Sequence, residues 1–170
     1  MQKNNVNRQG LRSLYFALIH SHLSYCPIIL NCLSKSNFKK LEKLQRKAVR
    51  IITGSRYNAN TADIFLEQNI LPIDKIVRQA KLLFMHSVVH NYAPISFNYI
   101  WVRNIDRPNE YNLRNDHEFT LPNPRIEQFK KLPIYALPLE WNMAGDLIYY
   151  ENRTTFRIAL RNQLFEEINS

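Results

Sequence analysis

Between Phe38 and Ile52 the chain carries a run whose charges and hydrocarbons separate when it is wound into a helix. Each residue turns about 100° from the last. With Phe38 at zero, Leu41, Leu44, Ala48, Val49, Ile51 and Ile52 fall within roughly 220° to 380°. Lys39, Lys40, Lys43, Arg46, Lys47 and Arg50 fall between roughly 80° and 200°. Six positive charges share one side of the helix, opposite an apolar side. Ser36 or Asn37 can cap its start, and Gly54 ends it.

Such clustering of one sign costs self-repulsion and brings no evident structural return. Glu42 sits at the border of the basic arc, where it can partner Arg46 at i,i+4. The functional reading is a ridge that tracks a nucleic-acid backbone, because each Lys or Arg that neutralises a phosphate releases counterion. Arg46 and Arg50 can add forked contacts that lysine cannot make. The alternative is a solvated face that keeps the helix in water. Lying on an anionic membrane would need an apolar face free to enter lipid, and the neighbouring helices are expected to bury this one.

The charge balance of the whole chain supports the polyanion reading. The net charge is +9, and it is concentrated at one end. Residues 1–60 hold eleven Lys or Arg against one acid, and the remainder is nearly neutral. Hydrophobic residues make up 45%, which suits a packed interior. Only 3 glycines in 170 residues favour helices over glycine-punctuated β architectures. Cys26 and Cys32 are too few for a disulfide framework and read as reduced, intracellular thiols. The first ten residues are polar, without the apolar run of a signal peptide. His20, His22, Pro27 and Asn31 interrupt the most apolar stretch, so no membrane span is expected.

The expected fold is mainly α: a helical, thumb-like bundle over residues 1–91 and a C-terminal extension over 92–170. Leu11, Leu14, Leu18, His22, Tyr25 and Ile29 recur at helical spacing, with Tyr15 and Cys26 beside them, and predict a first helix from about residue 8. Pro27 adjusts it. A short helix follows Asn60 near 61–68. Another, from about 74 to 91, is apolar on two faces and so sits between neighbours. Prolines at 94, 108, 122, 124, 133 and 138 break the segment 92–138. Within it Glu118–Leu121 and Leu132–Ala136 are expected to pair as a small hairpin. Glu151 or Asn152 opens a closing helix with Phe156, Leu160 and Leu164 on one side.

Several chemistries find no residues to carry them. Two-metal catalysis needs clustered carboxylates, and the chain contains no Asp-Asp pair. No catalytic residue, metal ligand set or cofactor is therefore expected. His20 and His22 point about 160° apart on a helix. His22 falls in the first helix's stripe and reads as a core or interface residue. His86 and His90, at i,i+4, lack a third ligand at zinc spacing. Cys26 and Cys32 read as small core residues. Trp101 and Trp141 read as packing anchors rather than base-stacking platforms.

Two blocks resemble a known family. The first is LYFALIHSHLSYCPIIL at Leu14–Leu30 with NFKKLEKLQRKAVRIITGSRYNANT at Asn37–Thr61. The second is YNLRN at Tyr111–Asn115, LPNPR at Leu121–Arg125, LEWN at Leu139–Asn142 and TTFRIALRNQLF at Thr154–Phe165. In order and spacing they resemble the region downstream of the palm in jockey-like, LINE-type non-LTR retrotransposon reverse transcriptases. There a tyrosine-, isoleucine- and leucine-bearing helix precedes one with a Leu-Gln-x-x-Ala-x-Arg-x-Ile-Thr core.

The resemblance implies a parent RNA-directed DNA polymerase of a mobile element. Its helical thumb grips the template–primer duplex, and Lys39 to Arg50 would face that duplex. It also implies an intracellular, nuclear setting. The palm's adjacent aspartates are missing here, as are fingers, endonuclease, zinc-knuckle and RNase H signatures, so catalysis does not carry over. The expectation is a truncated reading frame, not an enzyme by itself, that binds RNA or RNA–DNA duplex backbone. The rival is a protein-interaction module that self-associates through an exposed apolar face of the first helix, or a decayed remnant.

Overall fold

The computed structural model describes residues 7–106 and 118–169. The fold is mainly helical. Contacts group the chain into two compact units, Met1–Ile76 with Leu164–Ser170, and Val77–Gln163, where the sequence suggested a line at residue 91. The YNLRN element at Tyr111–Asn115 lies outside the described residues.

In the first unit, helix α1 (Arg8–Leu14) starts where the Asn7 side chain accepts from the Gln9 amide. It runs through a π turn, Tyr15–His20, into α2 (Ser21–Tyr25). Cys26 then leaves helical geometry (φ −151°), because the ring of Pro27 crowds a helical residue before it. Pro27 opens the short α3 (Pro27–Leu30). Helix α4 (Lys35–Thr53) is capped by Ser34, two residues ahead of the first expected cap. It ends at Gly54 in the left-handed region (φ +67°), where the Ser55 amide reaches back to the Arg50 carbonyl at 3.1 Å. Asn60 caps α5 (Thr61–Glu67) as expected. Helix α6 (Ile73–Val89) begins in this unit.

The π turn overturns the expected stripe of the first helix. The residues that face the core are Tyr15, buried, with Leu11 and Ile19 packed beside it. Leu23 is buried as well. These positions repeat every four residues, which a 3.6-residue turn cannot hold on one face but a wider turn can. Leu14, Leu18, Tyr25 and Ile29 are displaced to the surface, at 51% to 90% exposure. His22 and Cys26 are exposed with them rather than buried.

A glutamine ties the core together. Gln45 on α4 is buried, in the unit whose core gathers Tyr15, Val49, Ile52, Ile64, Phe65 and Ile70. Its Nε2 donates to the Tyr15 hydroxyl at 3.0 Å and to the Leu71 carbonyl at 2.9 Å. Its Oε1 accepts from the Ile73 amide at 2.8 Å. The link from α5 to α6 is irregular, and one side-chain amide pairs the Leu71 carbonyl within it and the Ile73 amide that opens α6. Burial pushes the Tyr15 hydroxyl above its ordinary pKa, with the Gln45 bond partly offsetting it. Lys75 pairs with Glu167 at 2.5 Å in the same unit.

In the second unit the expected hairpin does not form. Residues Pro133–Asn142 make helix α7 instead. Phe119 bridges to Arg103, the Thr120 amide donates to the Val102 carbonyl at 2.9 Å, and Asn142 clamps both backbone groups of Phe119 at 2.8 Å. Both prolines that argued against helix stand within α7. Pro133 stands in the first turn, where no amide donor is needed. Pro138 lies inside the helix and is buried. Short 3₁₀ turns at Ile95–Tyr99, Asn104–Asp106, Phe129–Lys131 and Gly145–Tyr149 fill the rest. Helix α8 (Arg153–Asn169) follows Asn152, whose side chain accepts from the Thr154 amide at 2.8 Å. Phe156, Leu160 and Leu164 are buried on α8, as the periodicity predicted. Trp101 and Trp141 are buried too. Arg78 and Lys81 both reach Glu140, at 2.8 and 3.2 Å.

Candidate nucleic-acid interface

Helix α4 presents the six basic residues on one continuous element of nineteen residues. Lys39, Lys40, Lys43, Arg46 and Lys47 are exposed, and Arg50 is half-buried. The ion pairs seen among the described residues draw on other cations, at Lys75, Arg78, Lys81, Arg103 and Lys130. The expected Glu42–Arg46 pair is not among them. Lys40 Nζ donates to Asn37 Oδ1 at 3.4 Å, a bond that leaves its charge unneutralised. Arg50 donates from one terminal nitrogen to the Ala59 carbonyl at 3.3 Å. Its Cζ lies over the Tyr57 ring, 5.5 Å from the centroid, close enough for a cation–π contact.

The apolar side of α4 is narrower than the wheel suggested. Val49 and Ile52 are buried, and Phe38, Leu41 and Ala48 are half-buried. Leu44 and Ile51 are 63% and 56% exposed. They lie at the low-angle edge of the apolar arc, next to Lys40 and Lys47, and the buried centre is taken by Gln45. The expectation that neighbouring helices cover this whole face is corrected at these two residues.

Leu44 and Ile51 form part of a groove of about 1160 Å³ along α4 and the turn that follows it. Lys40, Lys43, Arg46, Lys47 and Arg50 supply its charge, and Tyr57 lines it beyond the helix stop. Sequence reasoning missed Tyr57, Leu44 and Ile51 as site residues. The available signal was Gly54: a left-handed helix stop turns the chain back, so residues just beyond it can flank the last turns of the helix.

Other candidates do not assemble. His86 and His90 lie together, ring centroids 4.3 Å apart, yet among the described residues no group of three His, Cys, Asp or Glu could hold a metal ion. Cys26 and Cys32 form no disulfide among the described residues. Among the described residues no helix is long and apolar enough to cross a membrane. Compared with protein-family models, with curated proteins and with solved structures, the chain finds no match in any of the three.

Proposed function

We propose that this chain is a thumb and C-terminal region of a jockey-like non-LTR retrotransposon reverse transcriptase, and that it binds the backbone of RNA or RNA–DNA duplex without catalysing a reaction itself. The observation that carries the binding is the basic face of α4. Five of its six cations are exposed, and none is spent on an ion pair seen among the described residues. Phosphates neutralise such a row without reading sequence. The family reading draws support from where its pattern falls. Tyr15, Leu23, Gln45, Ile52 and Thr53, all within the resembling block, are buried. A nuclear setting follows from that family reading.

Anisotropy titration of a labelled RNA–DNA duplex tests the binding. Lys43→Glu with Lys47→Glu is expected to weaken it by roughly tenfold or more, since two phosphate contacts become repulsions. Affinity unchanged by that double reversal would overturn the reading.

A second reading has its own observation. Leu14, Leu18, Tyr25 and Ile29 leave an apolar stretch of the first helical segment in water, and such surface invites association. Self-association through it is compatible with duplex binding on α4, or stands alone if α4 binds nothing.

A further inference from the structure

A surface that only tracked phosphates would have no use for exposed hydrocarbon. Along α4, however, Leu44 and Ile51 stand two turns apart in water, in register with Lys40 and Lys47 one row away. Beyond the left-handed stop at Gly54 the chain brings Tyr57 beside Arg50. Tyr57 is 91% exposed, and its hydroxyl makes no hydrogen bond among the described residues. The result is a groove lined by the α4 cations, by Leu44 and Ile51 along one edge, and by the Tyr57 ring beyond the helix stop.

Those three chemistries match one kind of occupant. Phosphates satisfy the cations but gain nothing from Leu44, Ile51 or Tyr57. Nucleobases offer flat apolar faces, yet in a duplex these are stacked on one another. In an unpaired strand the faces are free while the phosphates remain alongside. We infer that the groove takes unpaired nucleotides, with a base stacked on Tyr57 and against Leu44 and Ile51, and with the adjoining phosphates on Lys40, Lys43 and Lys47. This rests on the reading of α4 as a backbone-binding helix and extends it from duplex to the single strand beyond. Arg50 orients the tyrosine: its guanidinium is tied to the Ala59 carbonyl, so the cation over the ring is held in place.

The test compares an oligothymidylate with an abasic oligomer of equal length, which keeps the phosphates and lacks the bases, on the full 170-residue chain. Oligothymidylate is expected to bind roughly tenfold more tightly, within the range of one or two base–aromatic contacts. Tyr57→Ala should remove that advantage and leave abasic binding unchanged, and Tyr57→Phe should keep it. Equal binding of the two oligomers, both salt-sensitive, would overturn the base site and leave the α4 reading standing. Failure of both to bind would overturn the base site, and the duplex titration decides the α4 reading separately. An oligomer of the protein that dissociates on Leu44→Ser with Ile51→Ser, with oligonucleotide affinity unmoved, would assign the groove to a second copy instead.

Discussion

The indole Nε1 of Trp101 donates to the Ile134 carbonyl at 3.0 Å, and that carbonyl is the one whose helical partner is missing. Within α7 the acceptor at Ile134 would normally receive the amide of residue 138, but residue 138 is proline. A side chain from another segment of the same unit therefore completes the helix. Trp101→Phe should destabilise the fold by about 1–3 kcal/mol, through an unpaired carbonyl and lost volume. Pro138→Ala restores the amide, so in that background the same substitution should cost about 1 kcal/mol less. Urea unfolding of the four proteins measures the coupling. Additive costs would mean that the bond and the proline are unrelated.

This pair also shows why α7 was hidden in the sequence. A proline inside an apolar run argues against helix on local grounds, and the partner that offsets it lies 33 positions earlier. Elements whose signals are local were legible: the Asn60 and Asn152 caps, the Gly54 stop and the buried row Phe156, Leu160, Leu164. The position of the first helix is legible but its buried face is not, because a π turn changes the period that the wheel assumes. At the candidate site the six cations were legible from period alone. Tyr57 was not, since its approach to Arg50 depends on a turn and not on a repeat.

Gln45 should be among the least replaceable polar residues of the first unit. Gln45→Leu keeps the bulk but strands the Leu71 carbonyl and the Ile73 amide, both on buried residues. At about 1–3 kcal/mol for each buried group left unpaired, a loss of roughly 2–6 kcal/mol is expected. Tyr15→Phe removes only the hydroxyl and should cost about 1 kcal/mol. Thermal unfolding orders the two; a milder effect at Gln45 than at Tyr15 would contradict the assignment.

His86 gives the fold a dependence on pH. Its Nε2 faces the Tyr150 carbonyl at 2.9 Å and therefore carries a proton, while Nδ1 is buried with no hydrogen-bond partner among the described residues. The ring stacks on Phe156 with centroids 4.2 Å apart. Burial lowers its pKa below the ordinary 6.5; the Tyr150 carbonyl opposes the shift, and His90 and Arg153 add to it. His90 is lowered too, again chiefly by burial. Below about pH 6.5 the unfolded chain takes up protons that the folded one refuses. Stability should thus be full above that pH and fall as the pH drops from there towards the lower folded values. His86→Phe should flatten the decline in urea midpoints between pH 7.5 and 5.5. An equally steep decline in that variant would exclude His86 as the source.

The exposed stretch on the first helical segment predicts concentration-dependent association. Leu14→Ser with Leu18→Ser replaces two side chains that are 51% and 62% exposed, so the monomer's core is untouched. Sedimentation should show larger species for the unaltered chain and fewer for the variant. Duplex affinity should stay the same, because neither residue adjoins the α4 cations in the groove. A monodisperse chain at every concentration would count against the stripe as an association surface.

Salt sets the sharpest limit on how many of the α4 cations meet phosphate together. For duplex binding, log K falls with log salt at a slope near −0.9 for each phosphate neutralised. A face of six cations, one of them half-buried, can engage about four or five at once, so a slope of roughly −4 is expected. Lys43→Glu with Lys47→Glu should bring it closer to zero by about two. Lys130→Ala should leave it alone, because that ammonium is engaged by Glu127. A slope near −1 would mean that a single contact does the binding, and the row on α4 would then be a solvated surface like any other.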